Sequence, residues 1–282
     1  GAEEEVFHCQ DGVLAIGHSA RDTFQMLQRA GVHMEAKDFA VGFRIEHPQK
    51  MIDESQYGLQ PDDLHLPPAP YKLATKLKNG RGVYSFCMCP GGYVVNASSE
   101  ERRLVVNGMS YSGRGSANAN SAIVISVGEQ EFDKSDPLSG MRYQRRLEER
   151  AFQLCGGKIP QQLFGDFRKG RVSTGYGAFE SMTKGAADFG PLQELLPKEC
   201  SESFLAGMEL FAKKIRGFDR DDAILSGIES RTSSPALLQQ HRRALSLRRG
   251  RRLRGRHHVC SHGRAEDSGK DFTEIRNQRR LD

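Results

Sequence analysis

Nearly all the excess positive charge of this chain sits at one end. Residues 240–282 carry twelve Arg and one Lys against five acids, a net of +8, whereas the whole chain of 282 residues carries +5. The preceding 239 residues hold 28 basic and 31 acidic groups, a net of −3. Between His241 and Arg264 nine Arg and four His surround one β-branched residue, Val259, with no apolar stripe of helical period. Such a stretch cannot bury enough apolar surface to offset about 1–2 kcal/mol of backbone entropy per residue. The folded body must therefore come from what precedes it, and 237–282 is expected to be a disordered tail. Taken alone, the tail fits nucleic acid or another acidic surface.

The composition is 37% hydrophobic and 27% charged, which suits a water-exposed protein. No run of about 18 apolar residues is present, so a spanning helix is excluded. The N-terminus lacks a basic-then-apolar leader. Six Cys at irregular spacing do not make a disulfide framework. Together these features predict a cytoplasmic chain without membrane association.

Along the chain, Val13-Leu14-Ala15-Ile16 reads as a short buried strand. Gly17 leads it into a helix from about residue 23 to 30, which Gly31 ends. Residues 40–45 alternate like a strand, whereas 47–70 are rich in Pro, Asp and Gln and read as irregular. Residues 71–78 read as a strand, and 82–95 as strand, Pro90-Gly91-Gly92 turn, strand. Further strands are expected at 104–108, 121–127 and 223–231, and helices at 138–155 and 201–215. No internal repeat is present. A strand passing through glycine into a helix is how α/β folds bring backbone against a cofactor.

Several blocks resemble one family. They are Val13 to Phe24, Lys37 to Gln49, Phe86-Cys87-Met88-Cys89-Pro90-Gly91-Gly92, Asn107 to Ser112, Asn118 to Ala122, and Glu229 to Pro235. Together they resemble the bacterial FAD-dependent dehydrogenase or oxidoreductase family, with Gly115 standing where relatives tend to have Asp. The resemblance implies an α/β fold: a partial, Rossmann-like FAD-binding domain with an inserted α+β, strand-rich domain. It divides the chain into 1–46 (partial FAD-binding domain), 47–205 (inserted substrate-type domain), 206–236 (return to the FAD-binding domain) and the 237–282 tail. It implies flavin-mediated hydride transfer on a small-molecule substrate, with FAD as cofactor and NAD(P) as a candidate second one. Nucleic acid and membrane are not expected partners, and the oligomeric state is open. The alternative is an α/β body with a basic tail for nucleic acid or an acidic surface.

Two glycine-rich parts of the family pattern are missing, which predicts a truncated N-terminus and a shifted reading frame near the C-terminus. Every Arg codon has G in its middle position, so reading one nucleotide on turns Arg into Gly, Ala, Val, Asp or Glu. Codons can be chosen for residues 240–267 that, so shifted, spell the family's glycine-rich motif.

Candidate cofactor-binding residues are Gly17, His18, Ser19 and Arg21, at the strand–helix junction. The alternative for this junction is an ordinary turn, with Arg21 a solvated first-turn charge. Candidate substrate-binding residues are Cys87, Cys89, Asn107, Ser110, Tyr111, Asn118 and Asn120. The last five form a polar group around Gly113 and Gly115, of the kind that fixes a small molecule on loops. On a regular strand Cys87 and Cys89 would share a face, where bridging is strained. No second Cys or His pair stands at zinc-ligand spacing, so no metal is expected. Catalytic residues are not identified. Asp166 and Tyr176 are acid–base candidates by type alone.

Overall fold

Two long strands of period two organise the protein. In the computed structural model, which describes residues 11–14, 16–58, 66–234, 236–238 and 256–259, β3 (Phe39–Pro48) and β8 (Asn118–Val127) pair antiparallel along their full lengths. Their odd-numbered residues Phe39, Val41, Phe43, Ile45, Ile123 and Ile125 enter the main core. Even-numbered Ala40, Ala122 and Val124 form a separate small patch with Tyr84. This alternation follows from the pleat.

Around this pair a seven-stranded sheet runs β11-β9-β12-β3-β8-β5-β4. Its other members are β4 (Ala74–Lys76), β5 (Gly82–Cys89), β9 (Ile159–Leu163), β11 (Ala187–Phe189) and β12 (Ile224–Glu229). Every pairing in it is antiparallel except β11 with β9. A second sheet, β10-β6-β7, uses β6 (Tyr93–Asn96), β7 (Val106–Met109) and β10 (Thr183–Lys184). The fold is thus mixed α/β with one large sheet. The expected boundaries at 46 and 205 cut β3 and helix α5 (Lys198–Ala212), so strands from both expected domains share one sheet. Hydrogen bonding across β3, β8 and β12, rather than the change in composition near His47, decides which residues belong together.

The core is completed by helices. Phe204 of α5 meets Phe43 at 5.4 Å edge-on and Phe167 of α4 (Phe164–Lys169) at 5.4 Å. Leu147 and Ala151 of α3 (Ser139–Leu154) pack into the same core. Two helices were missed in the sequence, the short α4 and α2 (Gln49–Tyr57). In the mostly polar α2 the one fully buried apolar anchor is Ile52, while Asp53 Oδ1 accepts from both Gln49 and the Ala69 N–H. Gly58, at φ +68°, closes it.

The N-terminal unit is β1 (Asp11–Leu14), α1 (Arg21–Arg29) and β2 (Met34–Ala36). Phe24, Met34 and Ile16 pack with Leu138, Met141 and Ala236, and β2 pairs with β13 (Ala236–Leu238). Within the span expected to lack structure, β14 (Arg256–Val259) pairs in parallel with β1. The rest of the Arg-rich tail lies outside the described residues. Among the described residues no helix is long and apolar enough to cross a membrane.

Phe204 is fully buried among three other rings. Phe204→Ala should therefore cost about 3–5 kcal/mol of unfolding free energy in a urea titration. A loss under about 1 kcal/mol would show that α5 is not docked on the sheet in this way.

Candidate functional site

The small residues on the even-numbered face leave room above them. A cleft of about 1110 Å³ opens there, with Ala40, Tyr84 and Phe86 among its lining. Its rim includes Asn107, Cys87, Arg231, Thr232 and His18. Its lining sets an apolar part, Ala40, Tyr84, Phe86 and Val127, beside many polar and charged side chains, Lys37, Asp38, Arg81, Glu129 and Lys134 among them. Thr232 anchors the rim to the sheet, its hydroxyl donating to the Ala40 carbonyl at 2.8 Å.

Beside the cleft the same face carries a buried charge. Arg44 on β3 is fully buried, and its Nε donates to Glu229 Oε2 at 2.6 Å. Nη2 donates to Glu229 Oε1 at 3.3 Å and to Asn107 Oδ1 at 2.8 Å. Nη1 donates to the Cys87 carbonyl at 2.7 Å and to Asn120 Oδ1 at 3.1 Å. Burial opposes the Arg44 charge, but Glu229 outweighs it and raises the guanidinium pKa. Gly108 on β7 lets the second sheet close over this group, because a Cβ there would lie 2.3 Å from Arg44 Nη1.

A second ion cluster sets the cleft's other wall. Glu148 of α3 is fully buried between two forked guanidinium groups. Arg21 donates to it at 2.7 and 2.9 Å, and Arg231 at 2.9 and 3.0 Å. Arg21 also reaches Glu100 at 2.5 Å, and Arg231 reaches the Ser19 hydroxyl at 3.2 Å. Partial burial works against the Glu100 charge, yet Arg145 and Arg21 hold its pKa down to about 2.

The cysteine segment departs from a regular strand. The pairing of β5 with β8 shifts register between Phe86 and Cys89, and Cys87 takes φ +47°. Cys87 is exposed on the cleft and Cys89 is buried. Both are free thiols, and the Cys89 thiol lies 3.4 Å from the Cys87 carbonyl. Hydrogen bonding to Cys89, with Arg44 nearby, lowers the Cys87 thiol pKa despite partial burial. The turn that follows is held tightly: a Cβ on Gly91 would lie 1.8 Å from the Arg114 carbonyl oxygen.

The structure separates the residues singled out in the sequence. His18, Cys87 and Asn107 line the cleft, and Ser19 bonds to its Arg231. Gly17, at φ +68°, has open space where a Cβ would stand. Arg21, expected to place charge near the flavin, is 2% exposed and committed to Glu148 and Glu100, because a buried guanidinium needs fixed partners. Asn120 belongs to the Arg44 group, whereas Asn118 donates to Glu46 at 3.0 Å. Ser110 donates to the Pro90 carbonyl at 2.8 Å, and Tyr111 packs on Tyr93. Asp166 bonds Ser173 and Arg171, while Tyr176 donates to Gln161, so the two do not act together. Among the described residues no group of three His, Cys, Asp or Glu forms a metal site. Sequence reasoning missed Arg44, Glu229, Glu148 and Arg231. Arg44 did carry a signal: a charge inside an apolar strand requires a buried partner.

The Arg44 group and all of the cleft lining except His18, Lys37 and Ser233 fall within a recognisable unit. Residues 38–232 match the model of the family described as "FAD-dependent protein, C-terminal domain-like", and the chain belongs to that family. It is also 52% identical over 238 residues to an uncharacterised protein of Clostridium beijerinckii, covering 83% of this chain. The match spans 44% of that relative's length.

The Glu100 carboxyl lies below its ordinary value of 4.5 in the folded protein. A carboxyl depressed in this way stabilises the fold above its unfolded value and loses that contribution as pH falls through its folded one. Stability should therefore decline from pH 4.5 toward about 2. Glu100→Gln should flatten that part of a melting-temperature profile, and an unchanged slope would show that the cluster does not form.

Proposed function

We propose that this chain is part of an FAD-dependent oxidoreductase that uses flavin to transfer hydride to or from an organic substrate. The observation that carries the reading is the cleft of about 1110 Å³ on the small-residue face of the sheet, most of whose lining belongs to the family-matched span. Its residues fit a flat heteroaromatic ring: Ala40 leaves room, Tyr84 and Phe86 offer apolar surface, and Asn107, Arg231 and Thr232 supply polar edges. When bound, FAD would supply the hydride-accepting ring; the protein orients it and excludes water. In this reading Asn107 and Arg231 hold its polar edge, and His18 and Ser19 border it from the N-terminal unit. Arg44 and Glu229 keep the neighbouring floor rigid. The Rossmann-like unit expected around 1–46 would carry the phosphates, and a nicotinamide would be one of the candidate hydride partners.

The sequence carries no G-x-G-x-x-G. Pyrophosphate binding normally uses the helix N-terminus that follows this motif, so FAD should bind the 282-residue chain weakly. A flavin-fluorescence titration should nevertheless saturate. Ala40→Phe, which fills the floor, should weaken binding at least about tenfold in protein that still shows a cooperative melting transition. Absence of saturation, or equal affinity in the variant, would remove flavin from this cleft.

A further inference from the structure

The cysteine pair has properties that flavin binding does not explain. Its first thiol faces the cleft from a bulge at φ +47°, a conformation uncommon for a residue with a side chain. Its second thiol is buried, 3.4 Å from the Cys87 carbonyl and 4.0 Å from Arg44 Nη1. An exposed sulfur, a buried sulfur two residues on, and a fixed guanidinium beside both make a nucleophile with its resolving partner. The bulge takes the pair off the regular pleat from which strain in a bridge was argued.

We propose that Cys87 and Cys89 form a thiol–disulfide exchange pair, Cys87 attacking the disulfide of a small organic molecule in the cleft and Cys89 resolving the product. In the first step the Cys87 thiolate forms a bond to one substrate sulfur, the substrate S–S bond breaks, and one thiolate leaves. In the second, Cys89 gives its proton to solvent and its sulfur bonds to Cys87 Sγ. The mixed disulfide breaks and a second thiolate leaves. The protein loses two electrons to the substrate disulfide, which becomes two thiols. Arg44 stabilises the sulfur anion at each stage and is a positioning residue. The proposal rests on the geometry of the cleft and the pair, and stands whether or not flavin binds there.

The test uses the reduced 282-residue chain and oxidised glutathione at pH 7, read by mass of tryptic peptides. Both cysteines fall in one peptide, Gly82 to Arg102. In the unmodified sequence this peptide should become two hydrogens lighter, with its glutathione adduct only transient. Cys89→Ser should stop at a stable adduct on Cys87. Cys87 should react at least about tenfold faster than Cys155, whose thiol is held above its ordinary value by burial and Asp188. A stable adduct without an internal disulfide in the unmodified chain would overturn the proposal, as would an unreacted Cys87 in Cys89→Ser. Equal rates at Cys87 and Cys155 would overturn it too. Both decisive measurements keep Cys87 in place, so neither depends on how Cys87→Ser folds.

Discussion

The burial of Arg44 on a central strand is the constraint around which the rest is arranged. A lone guanidinium away from water would cost several kcal/mol, so every direction it points in must end in an acceptor. Those acceptors come from four other elements: Glu229 on β12, the Cys87 carbonyl on β5, Asn120 on β8 and Asn107 on β7. Satisfying one charge thus fixes the bulge in β5, the approach of the second sheet and one wall of the cleft. The geometry of the site follows from hydrogen-bond accounting more than from apolar packing.

Glu148 performs a comparable task at the margin of the main sheet. Its two oxygens receive Arg21 from the N-terminal unit and Arg231 from the segment after β12. A helix of the main body is thereby tied to two chain segments far apart in sequence, and His18 and Arg231 reach the cleft as a result. Apolar contact through Phe24, Met34 and Ala236 supports the same junction. The ionic part makes the attachment specific in direction, which the small apolar cluster alone would not.

How much of this was legible in the sequence depended on the range of the interaction. Val41, Phe43 and Ile45 announce their strand by alternation, and the helix at Ser139–Leu154 by its apolar spacing. Helix α2 did not show itself, because Ile52 is its only fully buried apolar anchor and side-chain bonds to the Ala69 backbone do the rest. The site was legible in part. Of the residues singled out for their polar or reactive side chains, His18, Cys87 and Asn107 line the cleft. The burial of Arg21 was not legible because its partners lie 79 and 127 residues away, a separation that local pattern cannot see. The two cysteines were read on an ideal pleat, and the register shift that redirects them arises only when β5 meets β8.

The close approach at Gly91 and Gly108 has a consequence for how this protein can change. Each occupies a place where an added carbon would fall inside an atom of a neighbouring segment: the Arg114 carbonyl in one case, the Arg44 guanidinium in the other. The inner wall of the site is therefore closed to gradual variation, since even alanine is too large there. Diversity in ligand choice must be written instead on the outer rim, at positions such as Ser233 and Gln130, where solvent can absorb a new shape. A library built to retune the protein would spare the glycines and spend its randomised codons on that rim.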